Sequence, residues 1–510
     1  GADREGGGRR RGRHVSDWQR LDPRMLVVEP VSELRRFLPV LLGALLAGGF
    51  ARGGGLGWEL LAVAVPVAIG VARYLTTRYR ILDGRVELRR GLLQRTLRTA
   101  QLDRVRTVDV TASLVHRVLG LATVRIGTGA GAEQDLELDG LRAPQAQELR
   151  EALLARVAHE AHAPDDADAA APPAAPTERP VLRLDPGWAR YAPFTSAGVV
   201  AAAALLGVAS QALPDSAWRL DRLPDLAPAG WGWLLLVAVG VLAAAVSSAV
   251  LAVLGYLVAH WDLTLTRTPT QWRLTRGLLT TRETSVEDAR LAGVVVREPL
   301  GLRLAGAAEL GAVVTGLGQG EKGTLTLVPP APRAVVDGVA GAVLGDDRPT
   351  DAPLTAPLRT HGPAAVRRRR LRALAPAVVL VALVAASVVA DLLRPWSLVL
   401  ALLVLPAAIA LGEDRARSLG HLASEGFLVS RSGSLARHRE VLGAEHVIGW
   451  TVRDTWFQRR SGLVTLEATT AGGSQRVQVL DVPEHDGLVL AAALTPDLLA
   501  EVGYRTPPSQ

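Results

Sequence analysis

The sequence predicts a membrane α + β protein with three transmembrane helical hairpins, each followed by a small β-rich domain that a C-terminal helix closes. Three observations predict this class. Six long apolar spans occur in three pairs along the 510 residues. A stretch of 39 residues occurs three times, once after each pair. Hydrophobic residues make up 49% of the chain although 21% are charged, because uncharged blocks alternate with arginine-rich blocks.

The chain opens with a Gly/Arg-rich stretch, GGGRRRGRH, which has too few apolar residues to bury a core. We therefore expect this tail to be disordered. Composition then divides the chain into ten segments: a basic disordered tail and lead-in (1–34), hairpin 1 (35–76), β domain 1 (77–158), a linker (159–182), a second lead-in with hairpin 2 (183–260), β domain 2 (261–345), a linker (346–366), hairpin 3 (367–412), β domain 3 (413–503) and a tail (504–510).

The six apolar spans are 37–51, 56–75, 193–213, 230–259, 374–390 and 396–411. The span 230–259 determines the class, because it contains thirty residues and no charged side chain. A helix needs only about 20 residues to cross the hydrocarbon core of a bilayer. The first and sixth spans are short, and we interpret them as halves of hairpins whose longer partners return across the membrane.

Arginine predicts the orientation of the spans. Arginines are frequent before the first span, and Arg367–Arg370 precede the fifth, whereas the loops inside the hairpins are short and carry few. The excess of positive charge marks the cytoplasmic side. We therefore expect a multi-pass protein of the inner or plasma membrane, with its N-terminus and all three β domains in the cytoplasm. The first span lacks a small-residue cleavage site, so we expect no cleavable signal peptide.

The repeated stretch covers 91–129, 277–315 and 433–471, which we call copies one, two and three. Each copy begins with a glycine followed two residues later by a leucine, and each contains an R-x-x-G motif further on. The structural anchors shared in this way are Gly91, Leu93, Arg117 and Gly120; Gly277, Leu279, Arg303 and Gly306; and Gly433, Leu435, Arg459 and Gly462. Repetition of a whole unit predicts three domains of one fold.

Each β domain reads as about seven short strands and one final helix. In copy one, Asp83-Gly84 separates two apolar-alternating runs, which is a strong signal for a two-residue hairpin. Residues 113–119 predict a short helical turn ended by Gly120. The final helices follow prolines, the first of them Pro144, because proline suits a first helical turn. Seven strands and a C-terminal helix fit a pleckstrin-homology-like (PH-like) β-barrel.

Helical hairpins followed by β-rich copies with G-L-L and R-x-x-G anchors resemble the bacterial PH-domain membrane proteins of the YdbS/YdbT type. The sequence RLDP at 20–23, repeated at 183–186, is similar to the lead-in of that family. The third unit lacks RLDP, and the second has a less β-like entry strand that contains Pro269. The resemblance covers nearly all of residues 17–502, and it implies a membrane-embedded protein that is not an enzyme.

The sequence predicts no catalytic, metal or cofactor site, and we expect no cofactor. The chain has no cysteine. Residues 316–323 (GLGQGEKG) suggest a phosphate-binding loop, but the lysine is followed by glycine where such a loop requires serine or threonine. His159 and His162 lack the HExxH spacing of a zinc protease. A hairpin turn and a solvated helix end explain these two motifs better.

The basic cluster of β domain 1 is the one candidate for binding. Its candidate contacts with anionic lipid are Arg78, Arg80, Arg85, Arg89, Arg90 and Arg95. Two interpretations stay open: positive charge that sets topology and solvates strand faces, or a surface for anionic headgroups. Nucleic acid is not expected, because recognised nucleic-acid motifs are absent. We interpret the shared arginines as structural.

These observations favour a binding or scaffolding module at the membrane. The expected partners are the lipid bilayer, with anionic phospholipid, a membrane-protein partner or a second copy of the chain as alternatives. The competing hypothesis is an accessory protein in transport, envelope stress or defence, whose hairpins carry the activity. Few polar residues lie inside the spans. Glu59 lies near the start of the second span, where it can reach the headgroups, and no buried carboxylate is available to couple transport, which favours the scaffold.

Overall fold

The fold is described from a computed structural model of the chain. The structure describes residues 18–31, 56–82, 85–91, 96–101, 107–127, 136–150, 178–195, 198, 200, 232–315, 324–345, 352–424 and 426–497. The chain divides into two compact units. Unit 1 contains Gly1–Thr177, Pro269–Thr275 and Leu279–Val286. Unit 2 contains Glu178–Thr268, Arg276–Leu278 and Glu287–Gln510.

The described helices in chain order are α1 (Leu56–Thr76), α2 (Leu114–Leu119), α3 (Gly232–His260), α4 (Leu300–Leu304), α5 (Arg333–Leu344), α6 (Ala352–Thr355), α7 (Gly362–Val389), α8 (Trp396–Ser418), α9 (Trp456–Arg459) and α10 (Glu484–Leu494). Residues 25–31 and 143–150 are also helical. A 3₁₀ helix, Pro186–Phe194, follows the second RLDP motif.

Three helices in the described ranges are long and apolar enough to cross a membrane: α3 over Ala238–His260, α7 and α8. α1 coincides with the second predicted span, and the first predicted span lies outside the described residues. α7 and α8 pack along each other around a turn at Asp391, whose φ is 57°. In the second pair, the Ser248 hydroxyl donates a hydrogen bond of 3.0 Å to the Gly198 carbonyl.

Unit 1 contains two sheets. The first has the order β1-β2-β3-β4 and all its strands are antiparallel. The second continues in the order β7-β6-β5-β11-β10. The strands are β1 (Gln19–Arg20), β2 (Arg78–Leu82), β3 (Arg85–Arg90), β4 (Thr96–Gln101), β5 (Thr107–Ser113), β6 (Leu121–Gly127), β7 (Leu136–Arg142), β10 (Gln271–Arg276) and β11 (Thr280–Glu287).

Unit 2 contains a strand pair, β8 with β9, a six-stranded sheet and a three-stranded sheet. The six-stranded sheet has the order β14-β13-β12-β17-β16-β15, and the three-stranded sheet has the order β18-β19-β20. The strands are β8 (Arg179–Arg183), β9 (Thr264–Arg267), β12 (Leu291–Pro299), β13 (Ala307–Val314), β14 (Thr324–Pro332), β15 (Gly420–Ser424), β16 (Phe427–Ser432), β17 (Ala436–Gly443), β18 (Gly449–Arg453), β19 (Leu463–Thr469) and β20 (Arg476–Pro483).

The structure corrects the predicted barrels. No sheet of the described strands closes on itself. Instead, the second half of one copy pairs with the first half of the next: β5 of copy one joins β11 of copy two, and β12 of copy two joins β17 of copy three. Either arrangement satisfies the backbone groups at a strand edge. The sequence cannot choose between them, because the copies offer equivalent edges.

The cores nevertheless follow the predicted alternation. In unit 1 the inner face of the first sheet, with Val86 and Leu88, packs on Val108, Val124 and Ile126 of the second. In unit 2 one core joins strands of the six-stranded sheet, the three-stranded sheet and α10. Burial of these side chains on one face leaves the alternate residues of each strand on the other face.

The lead-in is part of the β structure. β1 pairs with β2, and β8 pairs with β9. Ahead of copy three, an isolated bridge joins Arg359 to His421, although no RLDP motif precedes that copy. In the RLDP motifs, the aspartates cap the turn that follows. Asp22 accepts a hydrogen bond of 3.0 Å from the Arg24 backbone N–H, and this bond lowers the pKa of its carboxyl.

The shared glycines occupy left-handed backbone positions. φ is 67° at Gly120, 68° at Gly306 and 63° at Gly462. In all three copies the backbone N–H of this glycine donates to the carbonyl of the shared arginine, at 3.1, 3.3 and 3.2 Å. The R-x-x-G motif is therefore the end of a short helix, where glycine reaches the left-handed region without a steric cost.

Candidate functional site

The outward face of the first sheet carries most of the predicted basic cluster. Val86 and Leu88 of β3 point into the core, so Arg85, Glu87 and Arg89 point to the opposite face. Residues directly opposite on neighbouring antiparallel strands share a face. The register then places the following residues on the same outward face: Trp18, Arg20, Arg78, Arg80, Leu97 and Thr99.

Three arginines form a row across three strands on this face. Arg20 of β1 lies opposite Arg78 of β2, which lies opposite Arg89 of β3. Arg20 and Arg78 are exposed and Arg89 is half-buried. None of the three forms an ion pair with a residue in the described part of the chain. Like charges directly opposite each other destabilise a sheet, so an anion bound to the row would offset a cost that the fold carries.

The next row on this face contains Arg80, and two contacts hold that arginine in place. The Nε of Arg80 lies 2.6 Å from a carboxylate oxygen of Glu87. The guanidinium of Arg80 also stacks over the ring of Trp18, with its central carbon 4.5 Å from the ring centroid. Arg80 therefore already has two partners, and the net charge of this face comes from Arg20, Arg78, Arg85 and Arg89.

The structure distributes the six predicted contacts unequally. Arg78, Arg80, Arg85 and Arg89 share the outward face, whereas Arg90 points to the inner side, where burial lowers the pKa of its guanidinium. Arg95 lies outside the described residues. Sequence reasoning missed Arg20, because nothing in the RLDP motif shows that it forms a strand beside Arg78.

The basic row lies close to the end of an apolar helix and is specific to copy one. α1 ends at Thr76, and Arg78 begins β2 two residues later. In the second copy Arg183 takes the place of Arg20, but Thr264 and Thr275 stand at the positions of Arg78 and Arg89. The row is therefore not required by the repeated fold.

A serine, a histidine and an aspartate also meet in β domain 1. The Ser113 hydroxyl lies 2.6 Å from Nδ1 of His116, and Nε2 of His116 lies 3.2 Å from an oxygen of Asp139. Sequence spacing did not reveal this group. Ser113 also caps α2 by accepting from the His116 backbone N–H at 3.3 Å.

The third copy indicates that this group is structural. Thr455 and Gln458 occupy the positions of Ser113 and His116, and the Gln458 amide donates to Asp481 at 2.8 Å. The Gln458 backbone N–H donates to the Thr455 hydroxyl at 3.3 Å, as in copy one. A glutamine cannot take up or release a proton as an imidazole does, yet it maintains the same cap and the same link to a carboxylate.

Two arginine clusters connect helices to the β structure of unit 2. Arg303, a shared anchor, donates to Asp414 near the end of α8 at 3.1 Å and 3.3 Å. Arg368 and Arg369, in the run predicted to set topology, lie 3.1 Å and 2.7 Å from Asp481. All three arginine side chains therefore have structural partners.

No group of three or more His, Cys, Asp or Glu side chains within the described ranges is arranged to hold a metal ion. His159, His162 and residues 316–323 lie outside those ranges. Glu440 of β17 is half-buried, and desolvation of its carboxyl raises its pKa to about 7. It lies opposite Val295 in the pairing of β12 with β17, which places it inside a sheet.

Comparison with known proteins agrees with this architecture. The family model described as the bacterial PH domain matches residues 34–157 and 372–492, which contain copies one and three. The chain is 23% identical to the UPF0699 transmembrane protein YdbT of Bacillus subtilis (strain 168) over 277 residues. That alignment covers 52% of this chain and 55% of YdbT, so the chain spans about half of the relative's length. No solved structure matches.

The resemblance inferred from the sequence is thus confirmed by two separate matches to the bacterial PH domain and by similarity to a transmembrane protein. Three described helices are apolar enough to span a bilayer. The chain is therefore a transmembrane protein in which residues 34–157 and 372–492 match the bacterial PH domain, and over about half of its length it is similar to YdbT.

Proposed function

We propose that the chain is a multi-pass membrane protein that works as a binding module, and that β domain 1 binds anionic phospholipid headgroups through its outward basic face. The row of Arg20, Arg78 and Arg89 carries the proposal. Its three like charges lie side by side, and a phosphate group would neutralise them. Each arginine near an anionic membrane surface contributes about 1 kcal/mol of attraction.

The position of the row supports a lipid rather than a soluble anion. If α1 crosses the membrane, Arg78 follows it directly, at the depth where headgroups lie. The hydroxyl groups of Ser248 and Ser387 in the apolar helices bond to helix carbonyls. These serines contribute no charge to a transport path, so the competing function in transport has no support from them.

The test measures binding of the full chain, purified in a neutral detergent, to water-soluble short-chain phosphatidylglycerol and to the matching phosphatidylcholine. We expect binding of the anionic lipid alone, and a loss of binding as salt approaches 1 M, where the Debye length is about 3 Å. Replacement of Arg20, Arg78 and Arg89 by glutamine should weaken binding by about 3 kcal/mol, roughly a hundredfold.

The matched control replaces Arg179, Arg183 and Arg190, three exposed arginines of the second lead-in, by glutamine. It removes the same charge and should leave lipid binding within a factor of a few. Equal weakening by both triple variants would mean that net charge alone attracts the lipid. Binding by neither parent nor control would leave protein scaffolding as the function.

The proposed topology comprises three membrane hairpins with the N-terminus and the β domains in the cytoplasm. In hairpin 3 both α7 and α8 connect to β domain 3, because Arg368 binds Asp481 and α8 runs into β15. Single cysteines at Gly54, Asp221 and Arg394 should react with an impermeant thiol reagent on intact cells. Cysteines at Gly131, Gly318 and Gly472 should react only after lysis. The chain has no cysteine of its own, and labelling of a β-domain site from outside would reverse the topology.

A further inference from the structure

Two strand pairings join neighbouring copies, and we call them junctions. In the first junction β5 of copy one pairs with β11 of copy two, and in the second β12 of copy two pairs with β17 of copy three. The strand of copy three that corresponds to β5 and β12 is β18, and the strand of copy one that corresponds to β11 and β17 is β4. Among the described strands, β4 and β18 each have a sheet neighbour on one side only.

The two existing junctions share one register. In the first, Val110 lies opposite Glu283, and in the second, Val296 lies opposite Arg439. These valines are the equivalent residue of each copy. Glu283 and Arg439 are both the sixth residue after the first shared glycine. The same register would place Val452 of β18 opposite Leu97 of β4.

Burial shows that the third junction is missing. Val110 and Val296 are 7% and 0% exposed, whereas Val452 is 46% exposed. On the opposite strand, Arg439 is 9% exposed and Leu97 is 57% exposed. The missing junction would therefore bring two exposed apolar side chains into direct contact. Such pairs contribute stability to a sheet.

The space beside β18 is open where the equivalent space is filled. A Cβ added to Gly293 of β12 would lie 1.9 Å from the Val441 carbonyl oxygen across the junction. A Cβ added to Gly449, the equivalent residue of β18, would meet no atom of the described residues within 4 Å. The outer side of β18 thus has the open backbone and the apolar side chain of an edge that accepts another strand.

We propose that β18 of one chain adds to β4 of a second copy of the chain, and that the protein forms a head-to-tail homo-oligomer. The occupant is a second copy because the chain already builds this junction twice, with the same register. A heterologous contact of this kind closes into a ring or continues as a row. The proposal does not depend on lipid binding, because β18 carries none of the basic row.

The first test uses cross-linking in the full chain. A chain with Leu97→Cys and a differently tagged chain with Val452→Cys are mixed in detergent and treated with a short bis-thiol reagent. Directly opposite residues have Cβ atoms about 4.5–5.5 Å apart. We expect a linked dimer that contains one chain of each kind, and no dimer from either chain alone.

The control pairs Val452→Cys with Val118→Cys. Val118 lies on α2 and is 85% exposed, so it reacts freely but lies on no edge strand. Equal dimer yields with Leu97→Cys and Val118→Cys would overturn the proposed register. A single chain with both Leu97→Cys and Val452→Cys that links only to itself would show that the edges close within one chain, and would also overturn the proposal.

The second test measures mass by light scattering of the parent chain and of Val452→Lys. A lysine on an edge strand prevents pairing with another strand, and Val452 is exposed enough for the variant to fold. We expect the oligomeric fraction of the parent to fall at least tenfold. A mixture of Val452→Lys with Leu97→Glu chains should recover mixed dimers, because the unchanged β4 of the first chain can pair with the unchanged β18 of the second. A parent that is monomeric, or a variant as oligomeric as the parent, contradicts the inference.

Discussion

Gly293→Val is expected to break the pairing of β12 with β17 and to lower the free energy of unfolding of unit 2 by about 3 kcal/mol or more. A Cβ at this position would lie 1.9 Å from the Val441 carbonyl oxygen, which is backbone and cannot turn aside. The strands can separate only by losing ladder hydrogen bonds. Hydrogen exchange of the amides at 294–298 and the midpoint of thermal unfolding measure the effect.

Gly449→Val provides the matched control, because it makes the same change at the equivalent residue of copy three. In a single chain a Cβ there meets no atom of the described residues within 4 Å, so the thermal midpoint of the monomeric protein should move by no more than about 2 °C. A loss in Gly293→Val that is no larger than the small change in monomeric Gly449→Val would show that β12 and β17 are not paired as described. Protection of the β12 amides in Gly293→Val would lead to the same conclusion.

The helical part of the fold could be predicted from the sequence wherever apolar length decides it. The predicted spans 56–75 and 230–259 differ from α1 and α3 by at most two residues at either end. α7 begins twelve residues before the predicted span 374–390, and α8 continues to Ser418. The residues that lie beyond the predicted spans in α7 and α8 include charged side chains that pair with each other. Glu413 of α8 binds Arg370 of α7, for example, at 2.7 Å.

Local strand order could also be predicted, but the choice of strand neighbours could not. Asp83-Gly84 indicated the β2–β3 hairpin, and the structure pairs Leu82 with Arg85 around it. β5 pairs with β11 of copy two, although β4 of its own copy presents an equivalent edge in the sequence. A period of two specifies the buried face of a strand and not the identity of its neighbour.

The sequence grouped the arginines of the candidate site because arginines close in sequence were assumed to be close in space. Arg78 and Arg89 meet that assumption, since one hairpin joins them. Arg20 does not, because residues 21–77 separate it from β2 in the sequence. Arg90 does not share the outward face, since alternation from Leu88 places it inward. The alternation of apolar and polar residues that turns Arg90 inward can be seen in the sequence, but no sequence signal gives the position of Arg20.

Asp481→Asn is expected to destabilise β domain 3 by about 3–5 kcal/mol. Asp481 is 1% exposed and lies within 3.1 Å of Arg368 and 2.7 Å of Arg369. Loss of its charge leaves two neighbouring guanidinium groups without their carboxylate in a buried place. Asparagine retains the shape of the side chain and tolerates the positive φ of 55° at this position, so backbone strain does not add to the loss. Thermal unfolding of the full chain in detergent measures the change.

The triple variant Asp481→Asn, Arg368→Gln, Arg369→Gln separates lost charge pairing from lost shape. It removes the carboxylate and both cations together, so most of the stability should return, because no buried charge is then uncompensated. The Gln458 amide, which donates to Asp481 at 2.8 Å, can still donate to an asparagine oxygen. A triple variant that is no more stable than Asp481→Asn would show that the arginines contribute through their packing and not through their charge. In that case the hydrocarbon parts of the Arg368 and Arg369 side chains would stabilise β domain 3, and their charges would act only on membrane topology.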